Sequence, residues 1–126
     1  MKESGKTWYL AQLTFPQMLH RNMVRFADKP AQLWRTEQGT VESLTWAQVW
    51  RLVKEMSTGL ISLGFEKGDR AAVMAHTSPQ WMWSDYATLC AAGITVCVYP
   101  TLSEKELAFI INDSGSKVLF VYDEEN

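Results

Sequence analysis

Apolar residues recur every three to four positions over residues 15–27 and 45–63, and alternate with polar ones over 31–36 and 40–44. They form short, nearly unbroken runs at 70–75, 94–99 and 117–122. These three patterns predict amphipathic helices, a half-buried hairpin, and strands enclosed on both faces.

Thr14-Phe15-Pro16-Gln17 reads as a capped helix start, and Leu19, Met23 and Phe26 continue at helical spacing to about Ala27. Asp28-Lys29-Pro30 ends that helix. Residues 31–36 and 40–44 flank the turn Glu37-Gln38-Gly39, which predicts a β-hairpin with polar residues on its outer face. Thr45-Trp46-Ala47-Gln48 is a capping box, with the Thr45 side chain reaching forward and that of Gln48 reaching back. It opens the longest helix, whose apolar face is Val49, Leu52, Val53, Met56, Leu60 and Leu63. Gly64 followed by Phe65 makes a C-terminal cap with its hydrophobic follower. Gly59 costs this helix roughly 1 kcal/mol relative to alanine, which predicts close packing against a neighbour.

From Gly68-Asp69 the chain reads strand, helix, strand, helix, strand. Ser78 caps a helix with Pro79 at its first position, a site where the missing N–H does no harm. That helix runs over residues 79–92 and ends at Gly93. The strand over 94–99 stops at Pro100, and Ser103-Glu104-Lys105-Glu106 is another capping box. Leu107, Phe109, Ile110 and Ile111 carry its helix to Asn112-Asp113. Ser114-Gly115-Ser116 turns the chain into the last strand, and Asp123-Glu124-Glu125-Asn126 is a solvated charge run. The fold class is therefore α/β: a β-α-β-α-β parallel sheet with flanking helices, preceded by an N-terminal helix and β-hairpin.

A chain of 126 residues is expected to build one core. The expected organisation is a single domain: a leader over about 1–13, helix-hairpin-helix over 14–65, and β-α-β-α-β over 66–123. Three parallel strands and a hairpin make a narrow platform. The long helix and the N-terminal helix supply only part of the cover such a sheet needs.

At 47% hydrophobic and 21% charged, the chain is globular rather than disordered. A net charge of −2 with no basic run argues against nucleic acid as a partner. No window approaches the roughly 18 uncharged apolar residues of a membrane span. The polar start Met1-Lys2-Glu3-Ser4-Gly5-Lys6 leads into no secretory h-region, so a cytoplasmic protein is expected. Cys90 and Cys97 are expected to be buried, reduced thiols. Without closely spaced pairs of Cys or His, and with His20 and His76 far apart, no metal site is expected.

Ligands of open α/β sheets bind beyond the carboxyl ends of the strands. That places His76-Thr77-Ser78, Tyr99-Pro100-Thr101-Leu102-Ser103 and Asp123-Glu124 under consideration. The first loop has no glycine, so backbone cannot approach a pyrophosphate as a dinucleotide site requires. Thr77 and Ser78 at a helix start suit a phosphate, but Ser78 is better read as an N-cap. His76 carries an imidazole, the side chain most used as a general base, yet no nucleophile or carboxylate is set near it, and it reads as a polar loop residue. Trp81, Trp83 and Tyr86 are read as packing surface in preference to a stacking platform. Asp69 lies at the amino end of its strand, the wrong end for a phospho-acceptor or magnesium site. No catalytic, cofactor-binding or metal residue is assigned.

Five stretches, in order, resemble the opening of the adenylate-forming (AMP-binding) acyl-CoA synthetases. They are Leu44-Thr45-Trp46-Ala47-Gln48-Val49, Gly68-Asp69-Arg70-Ala71-Ala72-Val73, Ser78-Pro79-Gln80-Trp81, the run from Ala91-Ala92-Gly93 through Tyr99-Pro100-Thr101, and Leu107-Ala108-Phe109-Ile110-Ile111-Asn112-Asp113-Ser114. The wording Tyr99-Pro100-Thr101-Leu102-Ser103 is most similar to long-chain fatty acid-CoA ligases. The resemblance implies a ligase that joins a carboxylic acid to ATP as an acyl-adenylate, releases pyrophosphate, and passes the acyl group to coenzyme A, with magnesium bridging phosphate charge. It also implies that the Thr/Ser/Gly-rich phosphate loop ending in Pro-Lys-Gly, the aromatic-x-x-Thr-Glu motif, the ribose-binding aspartate and the C-terminal lysine lie downstream of residue 126. This chain is accordingly expected to be an N-terminal fragment, inactive alone and without a cofactor of its own. Its expected partners are the remainder of the ligase and, through exposed apolar surface, other copies of itself. A self-standing flavodoxin-like or receiver-like module is the alternative; a receiver needs acidic residues after its first strand, where Ala75-His76-Thr77 has none.

Overall fold

The computed structural model describes residues 13–122. Helix α1, Phe15–Phe26, begins with reciprocal capping: the Gln17 N–H donates to Thr14 Oγ1 at 3.3 Å, and the Thr14 N–H donates to Gln17 Oε1 at 2.9 Å. Strands β1, Pro30–Arg35, and β2, Val41–Thr45, pair antiparallel around a turn in which Gly39 takes φ 82°. The register slips between Pro30 and Gln32.

Helix α2, Trp46–Ser62, carries the expected capping box at Thr45 and Gln48. Its free first amides find carbonyls on the connection behind α1: Trp46 N–H donates to Lys29 O at 3.1 Å and Ala47 N–H to Ala27 O at 3.0 Å. Four amides are orphaned at a helix start, so these bonds seat α2 against the end of α1. At the other end Gly64 is left-handed, and the Phe65 N–H donates to Leu60 O at 3.1 Å. This is the predicted glycine cap.

The second half is β3, Arg70–Met74; α3, Pro79–Cys90; β4, Ile94–Val98; α4, Glu104–Ser114; and β5, Ser116–Val121. The three strands are parallel in the order β4-β3-β5, and the hairpin forms a separate two-stranded sheet. The predicted fold class is observed. Central β3 holds Ala71, Ala72 and Val73 at 0%, 0% and 1% exposure, as a strand covered on both faces should.

Two cores form. Leu19, Val49 and Val53 gather Trp46, Trp50, Trp83 and Tyr86 between α1, α2 and α3. Leu60, Phe65, Ala71, Ala87 and Ala91 close over one face of the parallel sheet, with Val118 and Phe120 against them. By register, Ala72, Val96 and Leu119 share one level of the opposite face, and Met74, Val98 and Val121 the next. There α4 packs against β4 but buries none of its own residues completely. The expected shortfall in cover is thus located, with Leu119 and Val121 left exposed.

Four local expectations are corrected. A Cβ on Gly59 would meet nothing within 4 Å, so no close packing explains that glycine. Helix α3 ends at Cys90 instead of continuing to Ala92, because Ala92 itself turns left-handed at φ 57°. Cys97 is exposed, since β4 is an edge strand, while Cys90 is half-buried; both thiols are free. The hairpin's outer face is not purely polar, because Leu33 and Val41 stand exposed on it.

Candidate functional site

A cleft of about 1030 Å³ opens where β3 and β4 end. One wall is the β3–α3 connection, Ala75 to Pro79, with Trp81 and Met82 of α3 behind it. A second is the end of β4, from Cys97 to Pro100, and the third is β1, from Ala31 to Trp34. The position follows from topology. Right-handed crossovers send α3 and α4 to opposite faces of the sheet, because β4 and β5 lie on opposite sides of β3. The connections leaving neighbouring strands therefore diverge and leave a crevice between them.

Two of the three loops considered from sequence meet here. Ser78 is the N-cap of α3, its Oγ accepting from the Trp81 N–H at 3.2 Å, so its oxygen serves the helix. His76 and Thr77 are exposed at the mouth. Tyr99 is 77% exposed beside them. Ser103 lies outside the cleft lining and caps α4, where its hydroxyl and N–H both donate to Glu106, at 2.7 and 2.9 Å. Those bonds hold the Glu106 carboxyl below its usual range. Asp123 and Glu124 lie outside the described residues.

The β1 wall was not visible in the sequence. It is tied to α3 by a hydrogen bond from Trp83 Nε1 to Gln32 Oε1 at 2.7 Å, across 51 positions. No local pattern announces such a contact. The aromatic residues of α3 divide by face: Trp81 lines the cleft, while Trp83 and Tyr86 pack with the α1–α2 core as predicted. Burial raises the Tyr86 hydroxyl and the Cys90 thiol above their usual pKa values. Both stay neutral at pH 7, as packing residues do.

Asp69, at the opposite end of β3, accepts from Lys117 Nζ at 2.7 Å and from the Glu66 N–H at 2.7 Å. The Lys117 bond first, and the Glu66 bond second, hold its carboxyl below the usual range. These contacts fasten β5 and the entry to β3. Among the described residues no three side chains of His, Cys, Asp or Glu converge as metal ligands, so the donor set around the cleft does not fit a magnesium ion. Nor is any helix among them long and apolar enough to cross a membrane. The cleft offers apolar and aromatic walls, with hydroxyl and imidazole groups at its rim.

A model of the family described as AMP-binding enzyme matches residues 19–126. The long-chain-fatty-acid–CoA ligase FadD15 of Mycobacterium bovis is 33% identical over 86 residues, covering 68% of this chain and 14% of that protein. The long-chain-fatty-acid–CoA ligase ACSBG1 of Bos taurus is 27% identical over 108 residues, covering 86% of this chain and 15% of the relative. Among solved structures, a fatty acyl CoA synthetase of Mycobacterium tuberculosis superposes with a TM-score of 0.73 at 29% identity, over 82% of this chain and 20% of that one. A fatty acid AMP ligase of Legionella pneumophila, at 19% identity and a TM-score of 0.77, shares the fold. The chain thus spans about one seventh of the length of these curated relatives. With the match running from within α1 through β5, this chain belongs to the AMP-binding enzyme family and is related to its long-chain fatty-acid–CoA ligases.

Proposed function

We propose that these residues form the N-terminal part of the large domain of a long-chain fatty acid–CoA ligase. Residues 1–13 would be a leader and 14–123 a scaffold, one partial domain. The reaction of the whole enzyme would be attack of a fatty acid carboxylate on the α-phosphorus of ATP, forming an acyl-adenylate and expelling pyrophosphate. The thiol of coenzyme A would then take the acyl group and release AMP. The observation that carries this reading is the family match over residues 19–126, joined to fatty-acid–CoA ligases as relatives. It favours a ligase over a flavodoxin-like or receiver-like module.

The chain's own contribution is scaffold. Its helix starts are occupied by their caps, the cleft loop after β3 has no glycine for backbone to approach a phosphate, and the donor set does not fit magnesium. No Thr/Ser/Gly-rich loop ending in Pro-Lys-Gly occurs in residues 1–126. We therefore assign no catalytic residue and expect the 126 residues alone to be inactive, in the cytoplasm, with ATP, magnesium and coenzyme A engaging residues elsewhere in a complete enzyme.

The test is fatty-acid-dependent ATP–pyrophosphate exchange by the purified chain. Activity at background supports the scaffold reading, and turnover near that of a complete ligase refutes it. Joining residues 1–126 to the later segments of a related long-chain ligase checks the other half: a chimera active on fatty acids supports the assignment, and a folded chimera inactive on every acid tried counts against it.

A further inference from the structure

We infer that the β1–β2 hairpin is a hinged wall of the cleft, latched by the bond between Trp83 and Gln32 and able to swing about its base when that bond opens. The two strands pair with each other, and β3, β4 and β5 form a sheet of their own. A two-stranded hairpin without a third strand is marginally stable and depends on what it packs against. Here that support is unequal along its length.

The base is fixed. Ala31 and Leu44 pack on the core of Leu19, Val49 and Val53. Behind them the bonds from Trp46 N–H to Lys29 O and from Ala47 N–H to Ala27 O hold both ends of the hairpin to the helices. The outer part is held mainly by itself. Leu33 and Val41 are 66% and 61% exposed, and the turn is closed by its own groups: the Thr36 N–H donates to Thr40 O at 2.8 Å, and the two threonine hydroxyls stand 2.6 Å apart. Between base and outer part lies a bulge. Pro30 pairs with Thr45 and Gln32 with Leu44, which leaves Ala31 without a cross-strand partner. Ladder bonds are interrupted at such a point and the strand bends there, so a self-braced outer hairpin turns about Ala31 and Leu44 as a unit.

Gln32 is the first residue beyond the bulge. Its side chain reaches from that axis to α3, where Oε1 accepts from Trp83 Nε1 at 2.7 Å, and the Trp83 ring is itself packed in the α1–α2 core. Among the described residues no other hydrogen bond joins the hairpin to the half that begins at β3. The latch therefore sets the angle of the wall formed by residues 31–34, and with it the width of the cleft between β1 and the β3–α3 connection. One neutral hydrogen bond changes an open-to-closed ratio by roughly two- to tenfold, which suits a reversible latch. Every residue involved lies in the hairpin, its flanks or α3, and the device stands whether or not the whole protein is a ligase.

Pulsed electron paramagnetic resonance of the 126-residue chain reads the swing. In a Cys90→Ala, Cys97→Ser background, spin labels on Gln38→Cys at the turn and Thr77→Cys at the cleft rim, both exposed positions, should give a main distance and a minor longer one. Trp83→Phe removes the donor and Gln32→Leu the acceptor; the second leaves the core ring in place, so the test stands even where the first fails to fold. Each should raise the ratio of longer to main distance roughly two- to tenfold. The double variant should open the hairpin no further than either alone, because both remove the same bond. Labels on Arg35→Cys and Val41→Cys, an opposed pair within the hairpin, should keep their distance. A distribution unmoved by Gln32→Leu, a double variant showing the product of the two single effects, or a spread in the Arg35–Val41 distance, which would mean that the hairpin melts instead of swinging, would each overturn the proposal.

Discussion

The backbone of Gly93 runs directly beneath the ring of Phe65. A methyl group on Gly93 would stand 2.6 Å from Phe65 Cζ and 3.1 Å from the carbonyl oxygen of Asp69. Phe65 is a core residue at 4% exposure, and its N–H is bound into the cap of α2. Neither partner can move away freely. Gly93→Ala should therefore destabilise the chain by about 1–3 kcal/mol through overpacking, read as a lowered midpoint in urea. The neighbouring Ala92 shows the opposite situation, at φ 57°. It sits where a helix cap prefers glycine, with its N–H donating to Leu89 O at 3.0 Å and that of Gly93 to Thr88 O at 2.9 Å. Ala92→Gly should raise stability by up to about 1 kcal/mol.

Gly59 separates propensity from packing. With open space around its missing Cβ, an added methyl meets no neighbour and improves the helix. Gly59→Ala should stabilise by about 0.5–1 kcal/mol. A loss of stability in thermal unfolding would mean that α2 is in contact with something at that point.

The bond between Trp83 and Gln32 holds the hairpin against α3. Trp83→Phe removes the donor and keeps most of the ring. A net loss of about 1 kcal/mol is expected, with faster amide hydrogen exchange in Ala31 to Trp34 than in β3. Equal acceleration throughout the chain would show that the bond does not act locally.

Ser78→Ala should cost about 1 kcal/mol, because the Trp81 N–H at the start of α3 loses its acceptor. Thr77→Ala, at an exposed position one residue earlier, should change stability by less than about 0.5 kcal/mol. Denaturant titration of the two variants checks the contrast.

Acid should loosen the Asp69 fastening. A carboxyl whose folded pKa is lowered binds fewer protons folded than unfolded, so its contribution is complete above its ordinary value of 3.8 and is lost as pH falls through the lowered one. Glu106 behaves alike from its ordinary 4.5. Lys117→Met removes the largest cause at Asp69 and should shift acid unfolding to higher pH. The difference between variant and parent should shrink in about 1 M salt, where screening is nearly complete over a few ångström.

What the sequence determined by itself was local: the capped helix start at Thr14, the capping boxes at Thr45 and Ser103, the Ser78–Pro79 helix start, the Gly64 cap, and the alternation of strands and helices. Each depends on bonds within a few residues, so the side chains that make them lie together in the chain. The five ordered stretches carried the family likeness for the same reason. Tertiary structure decided what depends on approach from a distance. It set β3 between β4 and β5 and brought the hairpin to the cleft through Gln32 and Trp83. It also gave Gly93 its role beneath Phe65 while leaving Gly59 free. Glycine in a sequence signals that a side chain is missing, and only the neighbours show whether one would fit.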